Sequence, residues 1–502
     1  MLKQKRKILP ALLLVSILLT MPFASLISCA GGGGSNDGDG TPTTAQSGEN
    51  AGTGAESESD TPIVYTAAAE TFDWEGKDFR ILVNPDDGGE WRDVDFTSEE
   101  QTGEPINDAV YLRNRQIEGM FNISIVPVHS TDRTGDLRRA VVAGEHAYDL
   151  AYAHPFGQAT LSQEGLLYDL FSVPNLDLSQ PWWDQNAVKD LSIANRLYMI
   201  CGDIGTMYKK SVGIILFNKG MMRDYNLGDP YQLVADNKWT MDEFLRMCSA
   251  VSQDLTGSGI WDDNQRYGIV GYRDIITIGL IGGGVKFAAK NAEDIPEITF
   301  MNERTVAIFE KFTEVLFEPE LFWSWSRAGS NNERSRVMFA NNQALFNWNE
   351  FHSIPNLRAM ETDFGILPMP LFSETQERYY HSVNPHVAAM FCIPISNPDI
   401  EQTGAVVQHL GALGKNILTP AYYQISLVGQ HSRDEESVMT MDVIFNSMTY
   451  DPGYMYNWGD LGTFTMNMVD GFQSDLVSRY ERIADRAQTQ LERMIDRFLE
   501  LE

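Results

Sequence analysis

The chain has 502 residues, of which 43% are hydrophobic, and a formal net charge of -31 at pH 7. This hydrophobic content is enough to build two ordinary domains. A surface this acidic repels phosphate backbones and anionic lipid head groups. We therefore expect no nucleic-acid partner. The same charge also keeps a protein soluble, so it identifies no ligand by itself.

Residues 1–28 have the layout of a signal peptide. Four basic residues within positions 3–7 precede an apolar run at 8–27, and this order is typical of exported proteins. A transmembrane helix is the alternative, because about 20 apolar residues can span a bilayer, although Pro10 and Pro22 interrupt the run. The run ends in Leu26-Ile27-Ser28-Cys29, which resembles a bacterial lipobox. That resemblance implies cleavage before Cys29 and acylation of its side chain.

The segment after the signal peptide, residues 29–70, is rich in Gly, Ser, Thr, Asp, Glu and Ala. A segment of this composition cannot bury enough apolar surface to offset the entropy of ordering it. We therefore predict a flexible tether that begins at the lipidated Cys29. The signal peptide carries four positive and no negative charges, so its removal makes the chain still more acidic.

The first part of the folded region alternates predicted strands with predicted helices. Strands are predicted at 79–83, 122–128 and 148–153, and helices at 106–120 and 136–143, from apolar periodicity. The order β-α-β-α-β indicates an α/β fold with a mainly parallel sheet that is covered on both faces. Ligands bind beyond the carboxyl ends of such strands. The turn after the third strand, which begins at His154, is therefore a candidate site.

A second block begins with an apolar strand at 212–217. Thr240 is predicted to cap a helix, with Glu243 as its reciprocal partner and Trp239 as a hydrophobic staple. Further strands are predicted at 344–348 and 364–367, before a mostly helical tail.

Three cysteines follow Cys29, namely Cys201, Cys248 and Cys392. They are widely spaced and form no metal-ligand motif, so they are interpreted as small buried hydrophobic residues. One disulfide is possible, and the sequence does not select the pair.

The order of several motifs along the chain resembles family 1 extracellular solute-binding lipoproteins, which serve carbohydrate importers of the ABC type. The motifs are the lipobox, the tether, 148–157 with 165–170, Phe217-Asn218-Lys219, and Trp239-Thr240 before a helix. The resemblance implies a two-lobed type II periplasmic-binding-protein fold whose hinge is crossed more than once. It also implies an extracytoplasmic, lipid-anchored monomer that captures a saccharide, expected to be an oligosaccharide, and delivers it to the membrane subunits of an ABC permease.

The resemblance also suggests how the chain divides between the lobes. Lobe 1 is expected at 71–210 with 341–369, and lobe 2 at 211–340 with 370–502. Closure of the lobes would trap a ligand, because binding favours the state that makes more contacts with it.

Saccharide recognition needs flat aromatic faces for the C–H faces of the ring and planar polar groups for its hydroxyls. Such residues occur where the resemblance places the cleft. Each also has an alternative interpretation as core or surface packing, and the pairs Trp182-Trp183 and Trp323-Ser324-Trp325 fit packing at least as well. The residues expected to bind the ligand are Tyr152, His154, Asp203, Tyr208, Tyr272, Arg273, Trp348, Asn349, Glu350 and Trp458.

The segment 254–265 resembles a calcium loop of the EF-hand kind, with Gly259 at the sharp turn. Thr256 and Ser258 stand where an EF-hand has carboxylates, and glutamine stands at position 265, where it has a bidentate glutamate. These departures favour a metal-free turn without a cofactor, with weak calcium binding as the alternative. The loop residues that would face the ion are Asp254, Thr256, Ser258, Ile260 and Asp262.

An enzyme is the less favoured alternative. Glu350 and Asp203 could form a carboxylate pair for glycoside hydrolysis, but their spacing in the chain does not give their separation in space. The sequence contains no GxSxG, HExxH or Walker motif. A further alternative keeps the binding fold and makes it a sensor, or a binder of peptides or other solutes.

Overall fold

A computed structural model describes residues 64–428 and 435–500. The predicted signal peptide, Cys29 and the tether up to residue 63 lie outside these residues. Within the described ranges, no helix combines the length and the apolar composition needed to cross a membrane.

Most strands are short and buried. In chain order they are β1 Lys77–Val83, β2 Ile123–His129, β3 Leu150–Ala153, β4 Gly213–Asn218, β5 Tyr267–Gly271, β6 Ala288–Lys290, β7 Pro296–Ile298, β8 Phe322–Ser324, β9 Ala344–Glu350, β10 Phe364–Leu367, β11 His381–Ser382, β12 Met390–Cys392 and β13 Met448–Thr449.

Helices connect and cover these strands. They are α1 Pro105–Phe121, α2 Arg133–Val142, α3 Pro155–Gln163, α4 Gln185–Leu191, α5 Met207–Lys210, α6 Lys219–Asp224, α7 Pro230–Ala235, α8 Met241–Val251, α9 Ile275–Gly282, α10 Glu303–Leu316, α11 Asn332–Ala340, α12 Ile400–Leu413, α13 Thr419–Val428, α14 Glu435–Asn446, α15 Pro452–Tyr456, α16 Phe464–Asp470 and α17 Leu476–Glu500.

The first lobe is built on a four-stranded sheet with the order β12-β3-β1-β2. Strand β1 runs parallel to both β2 and β3, and β12 adds to the edge in the antiparallel direction. Phe79, Ile81 and Leu82 of β1 are fully buried, as expected for a strand covered on both faces. The predicted β-α-β-α-β order and its parallel pairing are therefore confirmed.

The second lobe is built on a five-stranded sheet with the order β10-β4-β9-β5-β8. Strand β4 runs antiparallel to both of its neighbours, whereas β9, β5 and β8 pair in parallel. All residues of β9 are buried, because this strand lies at the centre of the sheet. The helix after Thr240 begins as predicted, since the Thr240 side chain accepts a hydrogen bond from the Glu243 amide and Trp239 packs edge-on against Phe244.

The predicted assignment of segments to lobes needs a correction. Residues 341–369 were expected in lobe 1, but their strands β9 and β10 pair with β4 and β5 in the sheet of lobe 2. Conversely, β12 was expected in lobe 2 and completes the sheet of lobe 1. The alternation of buried residues identifies a strand, but it does not select the sheet, because the pairing partner is set by tertiary contacts.

The hinge is a small ribbon in which segments from distant parts of the chain lie side by side. Val212, which precedes β4, pairs with Val383, and β11 pairs in parallel with β13. The Asn384 amide donates to the Ser211 carbonyl over 2.9 Å. The chain enters the sheet of lobe 2 at β4 and returns to lobe 1 at β12, so the predicted multiple crossing is confirmed.

Cys201, Cys248 and Cys392 are buried and unpaired within the described part of the chain. Cys201 lies 3.1 Å from the Tyr450 hydroxyl. These cysteines pack as small hydrophobic side chains, as interpreted from the sequence.

A buried histidine joins the hinge to its surroundings. Nε2 of His381 accepts a hydrogen bond from the Met369 amide at 3.1 Å, so its Nδ1 carries the proton and lies 2.7 Å from the Ser447 hydroxyl. Burial lowers the pKa of His381 to about 3. The ring is therefore neutral in the folded state across the physiological range.

We predict that His381→Gln weakens the acid sensitivity of the fold. Between pH 6.5 and about pH 3, the unfolded chain binds a proton that the folded His381 does not bind, so wild-type stability falls as the pH falls. Between about pH 7 and about pH 4.5, replacement of His381 should reduce this loss in the free energy of unfolding by on the order of 2 kcal/mol, measured by denaturant unfolding.

His129→Gln, at the exposed end of β2, is the matched control and should change the dependence less than His381→Gln does. An unchanged pH dependence in His381→Gln would contradict a buried, neutral His381.

Candidate ligand-binding site

The carboxyl ends of β5 and β9 meet around a buried carboxylate. Glu350 ends β9 and is 1% exposed. The hydroxyl of Tyr272, which follows β5, donates to this carboxylate, and Asn384 Nδ2 donates to it over 3.0 Å. A buried carboxylate requires such donors because it has lost its water.

Lobe 1 reaches the same place through the end of β3. His154 caps α3, where its Nδ1 accepts a hydrogen bond from the Gly157 amide at 3.1 Å. The ring of Phe156 lies edge-on to His386 at 4.4 Å. Burial, followed by the nearby His154 and Arg273, lowers the pKa of His386 to about 4. His386 therefore lies between the two lobes and is neutral at pH 7.

We call His154, Tyr272, Arg273, Glu350, Asn384 and His386 the interlobe cluster. Arg273 projects from lobe 2 with 41% of its side chain exposed, and it pairs with Asp470. The next residue, Asp274, accepts from Asn384 Nδ2 at 3.4 Å. Burial and then the Glu350 carboxylate raise the pKa of Asp274 to about 7. This carboxyl group can thus donate or accept a hydrogen bond near neutral pH.

Two indole rings flank Tyr272. The Trp348 ring lies 4.2 Å from the Tyr272 ring and the Trp325 ring 5.6 Å from it, between centroids. Both indole N–H groups are buried and have no hydrogen-bond partner among the described residues. An unpaired buried donor costs about 1–3 kcal/mol. Of the two side chains, only that of Trp325 is partly exposed.

The lobes also touch at one side of the cluster. Glu90, in the loop after β1, accepts from Arg336 of α11 at 2.7 Å and from Asn356 at 2.9 Å. The neighbouring Trp91 ring lies 4.1 Å from the ring of His352. Lobe 1 and lobe 2 are thus in direct contact in this structure.

The structure brings together five of the ten residues predicted to bind a ligand. His154, Tyr272, Arg273 and Glu350 belong to the interlobe cluster, and Trp348 packs beneath Tyr272. Trp348 is fully buried, so it can support the ligand site without forming its surface.

The other predicted residues have structural partners elsewhere. Asp203 binds Lys209 at 2.8 Å and Lys415 at 3.2 Å in a buried ion-pair network. The Lys209 ammonium also lies 5.0 Å from the ring centre of Tyr208. Tyr152 is 3% exposed and its ring packs edge-on against Phe96.

Asn349 and Trp458 also lie away from the cluster. Successive residues of a strand point to opposite faces, so Asn349 faces away from Glu350 and forms hydrogen bonds with Asn332. Trp458 stacks on Tyr456 and donates its N–H to the Met494 sulfur of α17 over 3.3 Å. It belongs to the core of the C-terminal tail.

Several residues of the site were not among those predicted from the sequence. Asn384 and His386 lie in the turn between β11 and β12, and Trp325 was expected to fit packing at least as well as ligand binding. For Asn384 and His386, the only signal in the sequence was a polar turn between two buried strands. Their role depends on the hinge crossing, which no local pattern reveals.

The side chain of Gln265 lies inside the EF-hand-like loop and forms hydrogen bonds with it. Gln265 is fully buried, and its Nε2 donates to Thr256 Oγ1 at 2.8 Å, to Ser258 Oγ at 3.4 Å and to the Ile260 carbonyl at 2.7 Å. Asp254 instead accepts from loop amides, including that of Gly259 at 2.7 Å.

In an EF-hand, the oxygens at these three loop positions coordinate the ion, and here an amide NH₂ joins them. Asp262, also expected to face an ion, accepts from the Asn264 amide at 2.9 Å. No cluster of three or more His, Cys, Asp or Glu side chains suited to a metal occurs in the described ranges.

We predict that Gln265→Glu creates a calcium response that the wild type lacks. The new carboxylate replaces the amide donor with an anionic ligand, and the three oxygens then become available to an ion. Millimolar calcium should raise the melting temperature of Gln265→Glu and leave that of the wild type unchanged, as measured by differential scanning fluorimetry.

Gln253→Glu adds the same charge outside the loop and serves as the control. Calcium stabilisation of the wild type, or none in Gln265→Glu, would contradict this account of the loop.

Comparison with known proteins identifies the fold. No protein-family model matches the chain, and no curated protein matches it by sequence. Solved structures do match it. An ABC substrate-binding protein from Listeria monocytogenes, in complex with cycloalternan, has a TM-score of 0.53 and 11% identity, and the match covers 83% of this chain and 99% of that chain.

Two further structures match over similar lengths. The maltose/maltodextrin-binding domain MalE from Bdellovibrio bacteriovorus, bound to maltotriose, has a TM-score of 0.51 and 14% identity, with 84% of this chain and 100% of that chain covered. UgpB from Mycobacterium tuberculosis, in complex with glycerophosphocholine, has a TM-score of 0.54 and 13% identity, with 78% and 98% covered. The predicted two-lobed α/β fold is confirmed, and the chain has the fold of ABC solute-binding proteins.

Proposed function

We propose that this protein is the solute-binding protein of an ABC importer and that it captures a saccharide between its lobes. The observation that carries the proposal is the convergence of aromatic rings and buried polar groups at the interlobe cluster. The fold supplies the two lobes, and the cluster lies at the carboxyl ends of their strands, where ligands bind in α/β sheets.

The chemistry of the cluster suits a neutral, hydroxyl-rich ligand. The Trp325 and Tyr272 rings offer apolar faces for the C–H groups of a sugar. Arg273 donates hydrogen bonds, and Asp274, whose pKa is raised to about 7, can donate or accept them. Arg273 already pairs with Asp470, and the buried carboxylate of Glu350 adds a second negative charge to the site. This excess of negative charge disfavours an anionic ligand.

We infer binding rather than catalysis. The two carboxylates considered for glycoside hydrolysis belong to separate networks, because Asp203 pairs with Lys209 whereas Glu350 bonds to Tyr272 and Asn384. Each is already committed to donors that hold it in place. A retaining pair needs both carboxyl groups at one site, and these two lie in different networks.

The proposed setting is the extracytoplasmic face of a membrane. A lipid on Cys29 would anchor the chain, and the tether would let the folded part reach the membrane subunits of an ABC permease. We propose that the protein acts there as a monomer. A sensor role with the same ligand site would differ in its partner and not in its chemistry.

We predict that a saccharide raises the melting temperature of the full-length chain. Maltotriose, cellotriose, xylotriose and their longer homologues are the probes, with dipeptides and glycerophosphocholine as the competing ligand classes. A ligand that binds only the native state stabilises it by mass action. Trp325→Ala should weaken the affinity at least tenfold, or by about 1.4 kcal/mol, in isothermal titration calorimetry.

Two variants make this test specific. Trp325→Phe keeps an aromatic face and removes the N–H donor, so it should retain part of the affinity. Tyr111→Ala, at a half-buried position of α1 in lobe 1, should bind like the wild type. Stabilisation by a peptide or a phosphodiester, with none by any saccharide, would refute the saccharide proposal.

A further inference from the structure

A cavity of about 230 Å³ lies beside the hinge ribbon, and its lining residues are separate from those of the interlobe cluster. Lobe 1 supplies part of α4, lobe 2 supplies residues 284–290, and the hinge ribbon supplies β13. We call it the hinge cavity. Drug-sized ligands occupy pockets of about 300–1,000 Å³, so a cavity of this size suits a smaller ligand.

The hinge cavity has a local excess of positive charge. Four cationic side chains line it, namely those of Lys189, Lys286, Lys290 and Arg378. Lys290 pairs with Asp294 at 2.5 Å, whereas the other three form no ion pair within the part of the chain that the structure describes. The chain has 69 acidic and 38 basic residues, so carboxylate partners are abundant. Three unpaired cations at one cavity therefore attract an anion from solution.

The two carboxyl groups that line the hinge cavity are held by other donors. Asp190 Oδ2 accepts from the Thr449 hydroxyl at 3.1 Å and from the Tyr450 amide at 3.0 Å. Asp451 accepts from the Phe287 amide at 2.7 Å, and burial raises its pKa to about 7, so part of its charge is absent at neutral pH. These two groups therefore do not neutralise the three unpaired cations.

The geometry of Arg378 leaves its donors available. Its guanidinium lies over the ring of Tyr380, 4.5 Å from the ring centre. Stacking on a ring occupies the flat face of a guanidinium and leaves the N–H groups at its edge free to donate. This planar fork matches two oxygens of a carboxylate or a phosphate, and the ammonium groups of Lys189 and Lys286 add two point charges.

We propose that the hinge cavity binds a small oxyanion with more than one negative charge, of the phosphate or polycarboxylate kind. The anion would contact lobe 1 through Lys189, lobe 2 through Lys286, and the segment that leads into β11 through Arg378. It thus bridges both lobes beside the hinge. The site is separate from the proposed saccharide site, so its test needs no saccharide.

The test is the titration of pyrophosphate into the full-length chain by isothermal titration calorimetry, at neutral pH and at an ionic strength held constant with sodium chloride. The wild type should bind one pyrophosphate per chain. Lys286→Gln and Arg378→Gln should each weaken the affinity about tenfold, because each removes a charge-assisted hydrogen bond. Citrate, titrated in the same way, shows whether polycarboxylates share the site with phosphates.

Two further variants make the test specific. Arg378→Lys keeps the positive charge and removes the planar fork, so it should retain part of the affinity. Lys238→Gln removes an exposed positive charge outside the hinge cavity and should bind like the wild type. Because all of the replaced side chains are exposed, the melting temperature without pyrophosphate should stay close to that of the wild type, which separates lost binding from lost folding.

Two outcomes would overturn the inference. One is a wild type that binds neither pyrophosphate nor citrate. The other is equal affinity in the wild type, Lys286→Gln and Arg378→Gln, because the anion would then bind elsewhere on the surface. Failure of every saccharide to bind would refute the proposed function and leave this inference standing.

Discussion

The buried carboxylate of Glu350 is the constraint on which the arrangement of the site depends. A carboxylate that has left water needs hydrogen-bond donors around it, and removal of one donor would leave the charge uncompensated. Its donors come from Tyr272 beyond β5 and from Asn384 in the hinge crossing. Hydrogen bonds to this one carboxylate thus connect β9, the central strand of lobe 2, with the end of its neighbour β5 and with the chain segment that returns to lobe 1.

The same network joins the interlobe cluster to the hinge. The Asn384 amide also bonds to the Ser211 carbonyl in the first crossing, so the residue that satisfies Glu350 is fixed to the hinge ribbon. On the other side of the cleft, Glu90 of lobe 1 bonds to Arg336 of lobe 2. A ligand shifts the balance between open and closed lobes only through contacts that differ between them, and residues from both lobes meet at the cluster.

The sequence predicted well those features that depend on local pattern. The strand β1, the cap at Thr240 and the buried cysteines follow from periodicity, capping chemistry and spacing. The sheet to which β9 belongs could not be predicted, because the sequence of a fully buried strand does not show which strand it pairs with. Asp203 and Trp458 were placed in the cleft because the resemblance used only their order along the chain, and they pair with Lys209 and Tyr456 elsewhere.

The most direct test of the central claim is small-angle X-ray scattering of the full-length chain with and without a saccharide that binds it. We expect the saccharide to lower the radius of gyration, because binding favours the closed state, in which Glu90 contacts Arg336 as it does in this structure. We also expect that Trp325→Ala needs a higher saccharide concentration for the same change. A bound saccharide that leaves the scattering unchanged would contradict capture between the lobes.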